Sequence, residues 1–302
     1  MLINGSFADL LDPRFDEIFD TDYTSVPDML EQFYETKTGT LLTERWSQIG
    51  ALPDMTEFTG TVSYNDVSQG YDTTATFKEF AQGIQVERKL VEFDQFDIIM
   101  NKPKALAESV RRRRETDAMR PFNNAFSVDT FFYTNTEAVA MCSNSHTTTS
   151  GASTTTGFDN YVTTAMSATA VAALRIQMIK HRNDQGQVIS IEPDTLFYPV
   201  DLYEQAYEIV GSSGKVDTAL NNPNVHEGKY KTMQSIRLTD TNNWWMMDAK
   251  MMKRWGLKWR DKVKGEFGMV EDFDTIVGKW RAYCMWTNSH VDWRFVSGAE
   301  VS

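Results

Sequence analysis

Side chains able to carry chemistry are few in this 302-residue chain: His146, His181, His226 and His290, with Cys142 and Cys284. Cys142 and His146 stand four residues apart, a spacing that sets two ligands on one helical turn. The run CSNSH, however, leaves a strand-like segment for a Ser/Thr-rich loop, and no second pair of ligands follows it. Neither a metal centre nor a Cys/His nucleophile is indicated, and a Cys142-dependent enzyme is only a third class of reading. Gly211-Ser212-Ser213-Gly214-Lys215-Val216 resembles a phosphate loop superficially. Its glycines are three apart instead of five, and Val216 stands where a Mg²⁺-binding hydroxyl is required, so a helix end followed by a loop accounts for the same residues. No cofactor is implied.

The strongest charge feature is Arg111, Arg112, Arg113 and Arg114, with Lys102 and Lys104 nearby. Four adjacent cations could bind phosphates with salt-dependent affinity, which makes a nucleic-acid-binding helix the alternative function. Glu108, Glu115 and Asp117 lie at helical spacing around them, so a solvated or subunit-facing surface of alternating charge is the competing reading. No aromatic residues interleave with the bases, so base stacking is not indicated. The chain as a whole carries 42 acids against 30 bases, a formal charge of −12. That balance opposes a dedicated duplex-binding surface. Two distant cysteines fit buried thiols in a reducing compartment. No basic, then apolar leader and no apolar run near 18 residues is present, so neither a signal peptide nor a membrane span is expected.

The elements that must position these residues follow from periodicity. Residues 101–126 predict one long helix, capped by Asn101, with Pro103 in its first turn and Pro121 bending or ending it. Its apolar stripe, Ala105, Leu106 and Val110, is interrupted at the arginines and resumes at Ala118, Met119 and Phe122. The acidic start predicts two short helices, one from Asp12-Pro13 and one from Val26-Pro27 to Gly39. Residues 51–96 read as a long hairpin followed by a strand, with Phe58, Gly60, Val62 and Tyr64 alternating with Ser and Thr. Such a hairpin buries little of itself and must project or dock. Further on, Phe131–Tyr133 and Ala138–Cys142 read as strands and residues 143–157 as a Ser/Thr/Gly loop. Residues 160–180 read as a helix, Thr195–Val200 as a buried strand, and a helix capped by Asp201 runs to Gly211. Ile236 and Leu238, and Trp244–Met247, read as short strands, and residues 275–296 as two antiparallel strands turning at Asn288-Ser289.

The order of these parts, more than any one motif, resembles the major capsid protein of tailed phages, the Hong Kong 97-type fold, and within it the Mu-like major head subunit. KPKALAESVRRRRETDAMRPFNNAF is similar to that family's spine helix, DTLFYPVDLYEQAYEIVGS to the strand and helix of its axial domain, and RAYCMWTNSHVDWRFVSG, with Trp293-Arg294, to its closing strands. The resemblance implies an α+β chain divided into an N-terminal arm (1–50), an extended loop over a neighbouring subunit (51–93), a peripheral domain (94–145 and 265–302) and an inserted axial domain (146–264). It implies a structural, non-enzymatic subunit in a virion, assembled in the bacterial cytoplasm into pentamers and hexamers of itself. Scaffold, portal and cement proteins, and weak non-specific contact with packaged double-stranded DNA, are the further partners. Arg111, Arg112, Arg113, Arg114 and Glu115, with Tyr64, Tyr71 and Phe77 of the loop, are the candidate inter-subunit or interior-facing residues. Met1–Asn4 leave no room for a scaffold-like prefix, and no residue trio marks covalent cross-linking.

Overall fold

The computed structural model describes residues 7–24, 30–93, 96–214, 223–272, 274 and 277–302. In the first half these form α1 (Phe7–Thr24), α2 (Leu30–Phe33), β1 (Tyr34–Thr38), β2 (Thr43–Ile49), β3 (Gln69–Thr76), β4 (Lys78–Glu87), α3 (Arg88–Glu92), α4 (Phe96–Asn123) and β5 (Tyr133–Asn135). In the second half come β6 (Tyr161–Val162), α5 (Ala168–Ile179), β7 (Thr195–Pro199), α6 (Tyr203–Gly211), β8 (Lys231–Ser235), β9 (Trp244–Met247), α7 (Ala249–Met251), β10 (Leu257–Asp272), β11 (Val277–His290) and β12 (Val296–Ala299).

The strands form three sheets in the orders β1-β10-β11-β4, β6-β12-β9-β7-β8 and β2-β3-β5. The first is built on the long antiparallel pair β10/β11, with β1 added in parallel (Tyr34 opposite Leu257) and β4 antiparallel (Trp280 opposite Ile84). Along β11 the even positions Trp280, Ala282, Cys284 and Trp286 are buried while Lys279 and Arg281 face solvent, the period-two signature of a sheet covered on one side. The cover is helical. Phe15 of α1 packs on Trp280 with ring centroids 4.8 Å apart, and Phe19 on Phe267 at 5.3 Å. The acidic arm thus packs on its own chain through α1.

Helix α4 lies across the same face and is longer at its start than its sequence predicts. Asn101 is inside it and caps nothing, and Pro103 follows two turns of helix. Pro121 ends it: α4 stops two residues later. The buried stripe is also continuous. Leu106, Ala107 and Val110 are joined to Ala118, Met119 and Phe122 by Arg114 and Asp117, which are buried as well. Beyond α4, Phe122 meets Phe33 at 5.6 Å, Phe197 at 4.8 Å and Trp245 at 5.6 Å, tying the helix end to α2 and to the five-stranded sheet.

Several elements differ from expectation, for local reasons. Residues 50–68 contain no strand; the hairpin is β2 with β3, and β3 continues to β5. Among the described residues of the arm one long helix, α1, forms, with Pro13 inside it. The second expected helix is a single turn, α2, before the chain extends into β1; Val26, Pro27 and Met29 lie outside the described residues. Ala138–Cys142 is irregular. Helix α5 begins at Ala168, where the Ser167 hydroxyl accepts from Ala170 N, because Tyr161 and Val162 are used in pairing with β12. Asp201 lies in a 3₁₀ turn (Val200–Leu202), and α6 starts after Leu202 without a side-chain cap. β8 stops before Ile236, which is exposed. Gly211 ends α6 as expected of the glycine run, whose Lys215 and Val216 lie outside the described residues. At the C-terminal end, β11 runs straight through Asn288-Ser289; its partner is β10, and β12 belongs to the five-stranded sheet.

Where the sheets meet, a buried polar cluster surrounds Trp293. His146 stacks on its ring at 4.0 Å and makes hydrogen bonds to Glu137 and to Asn160 Oδ1, each at 3.1 Å. Asn160 also donates to the carbonyls of Met141 and Val296 at 2.9 Å. His181 and His290 are buried beside this cluster, and desolvation lowers both to about 4. Between that value and the ordinary imidazole value near 6.5 the unfolded chain binds more protons than the folded one. Stability is therefore complete above about pH 6.5 and declines as pH falls towards 4, by up to roughly 1.4 kcal/mol per pH unit for each histidine. Urea denaturation at pH 7, 6 and 5 should show this decline, and H181Q/H290Q should flatten it.

Candidate assembly surface

Arg111–Arg114 occupy one turn of α4 and therefore point in four directions. Arg114 is turned into the sheet. Its guanidinium pairs with both oxygens of Asp261, at 2.5 and 2.9 Å, and lies over the rings of Trp259 (4.8 Å) and Trp286 (5.9 Å). Trp259 Nε1 donates to the same Asp261 carboxylate at 2.7 Å. Arg113 pairs with Asp117 at 2.9 Å and lies over Phe80. Burial pushes the Asp117 carboxyl up, opposed by its hydrogen bonds from Trp286 and Arg113. Arg111 reaches the Asp22 carbonyl of α1 at 3.5 Å. Arg112 alone of the four is exposed. Glu115 pairs with Arg237 at 3.1 Å. The expectation that all four arginines face a neighbour or the shell interior is corrected for Arg114, whose bidentate pairing is internal; a row of four accessible cations for nucleic acid does not exist either.

The loop residues separate in the same way. Tyr64 is 93% exposed. Tyr71 is half-buried, its hydroxyl 2.7 Å from Thr147 Oγ1, and Phe77 packs against Gly39 so tightly that a Cβ there would lie 2.3 Å from the ring. Tyr64 belongs to a surface the sequence shows only in part. From residue 41 to residue 67, Leu41, Leu42, Ile49, Leu52, Met55, Phe58, Val62, Tyr64 and Val67 are all exposed, and Met55 and Tyr64 almost fully. Single exposed apolar residues are ordinary; a series of nine within one segment is not. Loop 50–68 carries Asp54, Glu57 and Asp66 and no base.

The Ser/Thr segment is not a free loop. Thr147 meets Tyr71, the Thr149 hydroxyl donates to the Gln69 carbonyl at 2.9 Å, and the Thr148 and Ser150 hydroxyls donate to the Asp184 carbonyl. It straps β3, the inner strand of the hairpin, to the body of the subunit.

The two cysteines first considered for chemistry are both buried. Cys142 and Cys284 are buried free thiols; burial holds Cys142 far above the ordinary thiol range and pushes Cys284 up to about 11, so neither forms a thiolate readily. Among the described residues no group of three or more His, Cys, Asp or Glu side chains is placed to hold a metal ion, and no helix is long and apolar enough to cross a membrane.

A family model described as phage capsid protein matches residues 70–296. No curated protein matches the sequence. Among solved structures, the fold is similar to a chain from Mycobacterium phage Patience, with TM-score 0.59 and 8% identity over 97% of this chain and 88% of that one. A chain from Mycobacterium phage Bobi gives 0.56 and 9% over 92% and 91%, and one from the procapsid of bacteriophage JBD30 gives 0.53 and 11% over 99% and 76%. At such identities the likeness establishes the fold, the Hong Kong 97-type arrangement.

Breaking the Arg114–Asp261 pair leaves a buried carboxylate short of its partner. R114M should therefore lower the stability of the unassembled subunit by about 3–5 kcal/mol in urea denaturation, with R114M/D261L recovering much of the loss. R112Q should change it by less than about 0.5 kcal/mol.

Proposed function

This chain belongs to the phage capsid protein family and is a structural shell subunit, and we propose that it is the major head subunit, copies of which close as pentamers and hexamers into an icosahedral shell around packaged DNA. The observation that carries this reading is the exposed apolar series from Leu41 to Val67, held on the β2/β3 stem. Leaving nine large apolar side chains in water forgoes about 1.5–3 kcal/mol for each one that a neighbour could bury. A neighbouring copy of the chain is the natural cover, since every copy in a shell both offers this segment and receives one.

In this reading residues 1–50 are the arm, 51–93 the extended loop, and the β10/β11 sheet with α4 the peripheral domain. The five-stranded sheet, with α5 and α6, is the axial domain. The sheet topology supports moving the boundaries, so that β1, β4 and β10 from Leu257 join the peripheral part and β12 the axial part. DNA contact is weak and non-specific, consistent with a net charge of −12 and with Arg112 as the exposed member of its run. Scaffold, portal and cement proteins are further partners. The capsid of bacteriophage JBD30, to which this chain is similar (TM-score 0.54), is decorated with minor capsid protein trimers, which supports looking for a decorating partner here. The subunit acts in the virion head and assembles in the host cytoplasm.

Purified protein imaged by electron microscopy should form shells, capsomers or sheets, and a stably monomeric chain would sink the reading. Replacing residues 52–67 by a short Gly/Ser linker should abolish assembly as seen by sedimentation velocity. It should leave the unfolding midpoint within a few degrees of wild type, because residues 52–67 are exposed throughout.

A further inference from the structure

The loop 50–68 leaves the body at Gly50 and returns at Ser68, and these two residues are joined by a hydrogen bond from Gly50 N to the Ser68 carbonyl at 2.8 Å. Both ends are also held by one side chain from a distant part of the sequence. Asp184 Oδ1 accepts from Ala51 N at 2.8 Å, and Oδ2 accepts from the Ser68 hydroxyl at 3.1 Å. The carboxylate fits there only because residue 50 is glycine: a Cβ would lie 2.2 Å from Asp184 Oδ2 and 2.7 Å from the Ser68 carbonyl oxygen.

Asp184 is itself fixed. It is 9% exposed and sits in a turn where Asn183 Oδ1 accepts from Gln185 N at 3.0 Å and Gln187 N at 2.9 Å. Its carbonyl receives the hydroxyls of Thr148 and Ser150. One residue thus takes four donors, two from the base of the loop and two from the Ser/Thr strap. None of this packs a core, since residues 52–67 are exposed throughout. Fixing both ends of such a loop fixes where it leaves and re-enters the body. Half of it, extended at about 3.3 Å per residue, reaches up to roughly 30 Å. An error of about 10° at the base then moves the tip by about 5 Å, a full strand spacing.

We propose that Asp184 is a positioning residue for assembly: its carboxylate sets the angle at which the loop leaves the subunit, and so the angle between neighbouring subunits and the curvature of the shell. The inference rests on the reading of residues 50–68 as the segment that covers a neighbour. Asp184→Ala removes both contacts. Gly50→Ala expels the carboxylate from the opposite side. Asp184→Asn keeps an acceptor for Ala51 N and places an amide against the Ser68 hydroxyl, and so serves as the conservative variant.

The test has two arms. In the first, unassembled subunits are treated with a low dose of protease. D184A and G50A should be cut within residues 50–68 several-fold faster than wild type or D184N, while all four unfold cooperatively at similar temperatures. In the second, assembly products are measured by electron microscopy. D184A and G50A should give open, tubular or variable-diameter particles where wild type and D184N give shells of one size. Wild-type cleavage rates in D184A and G50A would overturn the latch, and wild-type shells from both would overturn its role in curvature. If wild type itself forms no assembly, the reading of the chain as a shell subunit fails instead, and the protease arm still decides whether Asp184 holds the loop.

Discussion

The Arg114–Asp261 pair is the constraint on which the arrangement of the rest depends. An arginine buried against two tryptophans is tolerable only when its charge is met in full, and Asp261 meets it with two hydrogen bonds while also accepting from Trp259. A bidentate pair of this kind has one acceptable geometry, so it fixes both the height and the rotation of α4 over the β10/β11 sheet. Asp117, one turn further on, repeats the device with Trp286 and Arg113. The Asp117 carbonyl receives the Asn288 amide at 2.5 Å. The spine of the subunit is thus registered on its sheet by directional contacts, with apolar packing supplying most of the burial. Apolar side chains alone would allow the helix to slide by a turn.

The second organising contrast is between this registered body and the segment it carries. The body buries six tryptophans, whereas the stretch from Leu41 to Val67 leaves nine large apolar residues in water. Between them lies a seam of hydroxyls, the Ser/Thr strap, which joins hairpin to body with hydrogen bonds instead of packing. Such bonds are individually worth about 1 kcal/mol and set direction more than they add stability.

Much of the fold was legible in the sequence, and the failures share a cause. The long helix, the buried strand at Thr195–Pro199 and the Trp244–Met247 strand follow from apolar periodicity, which burial enforces directly. Strand β10 has no apolar alternation to announce it, because Lys258, Arg260 and Asp261 are charged; they are nonetheless buried, Lys258 paired with Glu35 at 2.5 Å and Asp261 with Arg114, by partners more than a hundred residues away. The burial of Arg114 was missed for the same reason. Helical spacing gives Arg114 and Asp117 the phase of Leu106 and Val110, and that phase was the available signal for their burial. In the loop, alternation of Ser and Thr with apolar residues mimicked a strand that no partner within the chain completes. Nothing local in Asn183–Gly186 marks Asp184 as a carboxylate whose donors come from residues 51 and 68.

The parallel pairing of β1 with β10 bears on when a subunit becomes available. Tyr34–Thr38 are made early, but Leu257–Asp261, to which they bond, are made near the end. At about 5–20 residues per second, the first strand waits on the order of ten to forty seconds for its neighbour to leave the ribosome. During that time Phe33 and Tyr34, later fully buried, have no sheet to rest on. The four-stranded sheet is therefore completed only near the end of synthesis, and its first strand is held in place by a segment made more than two hundred residues later.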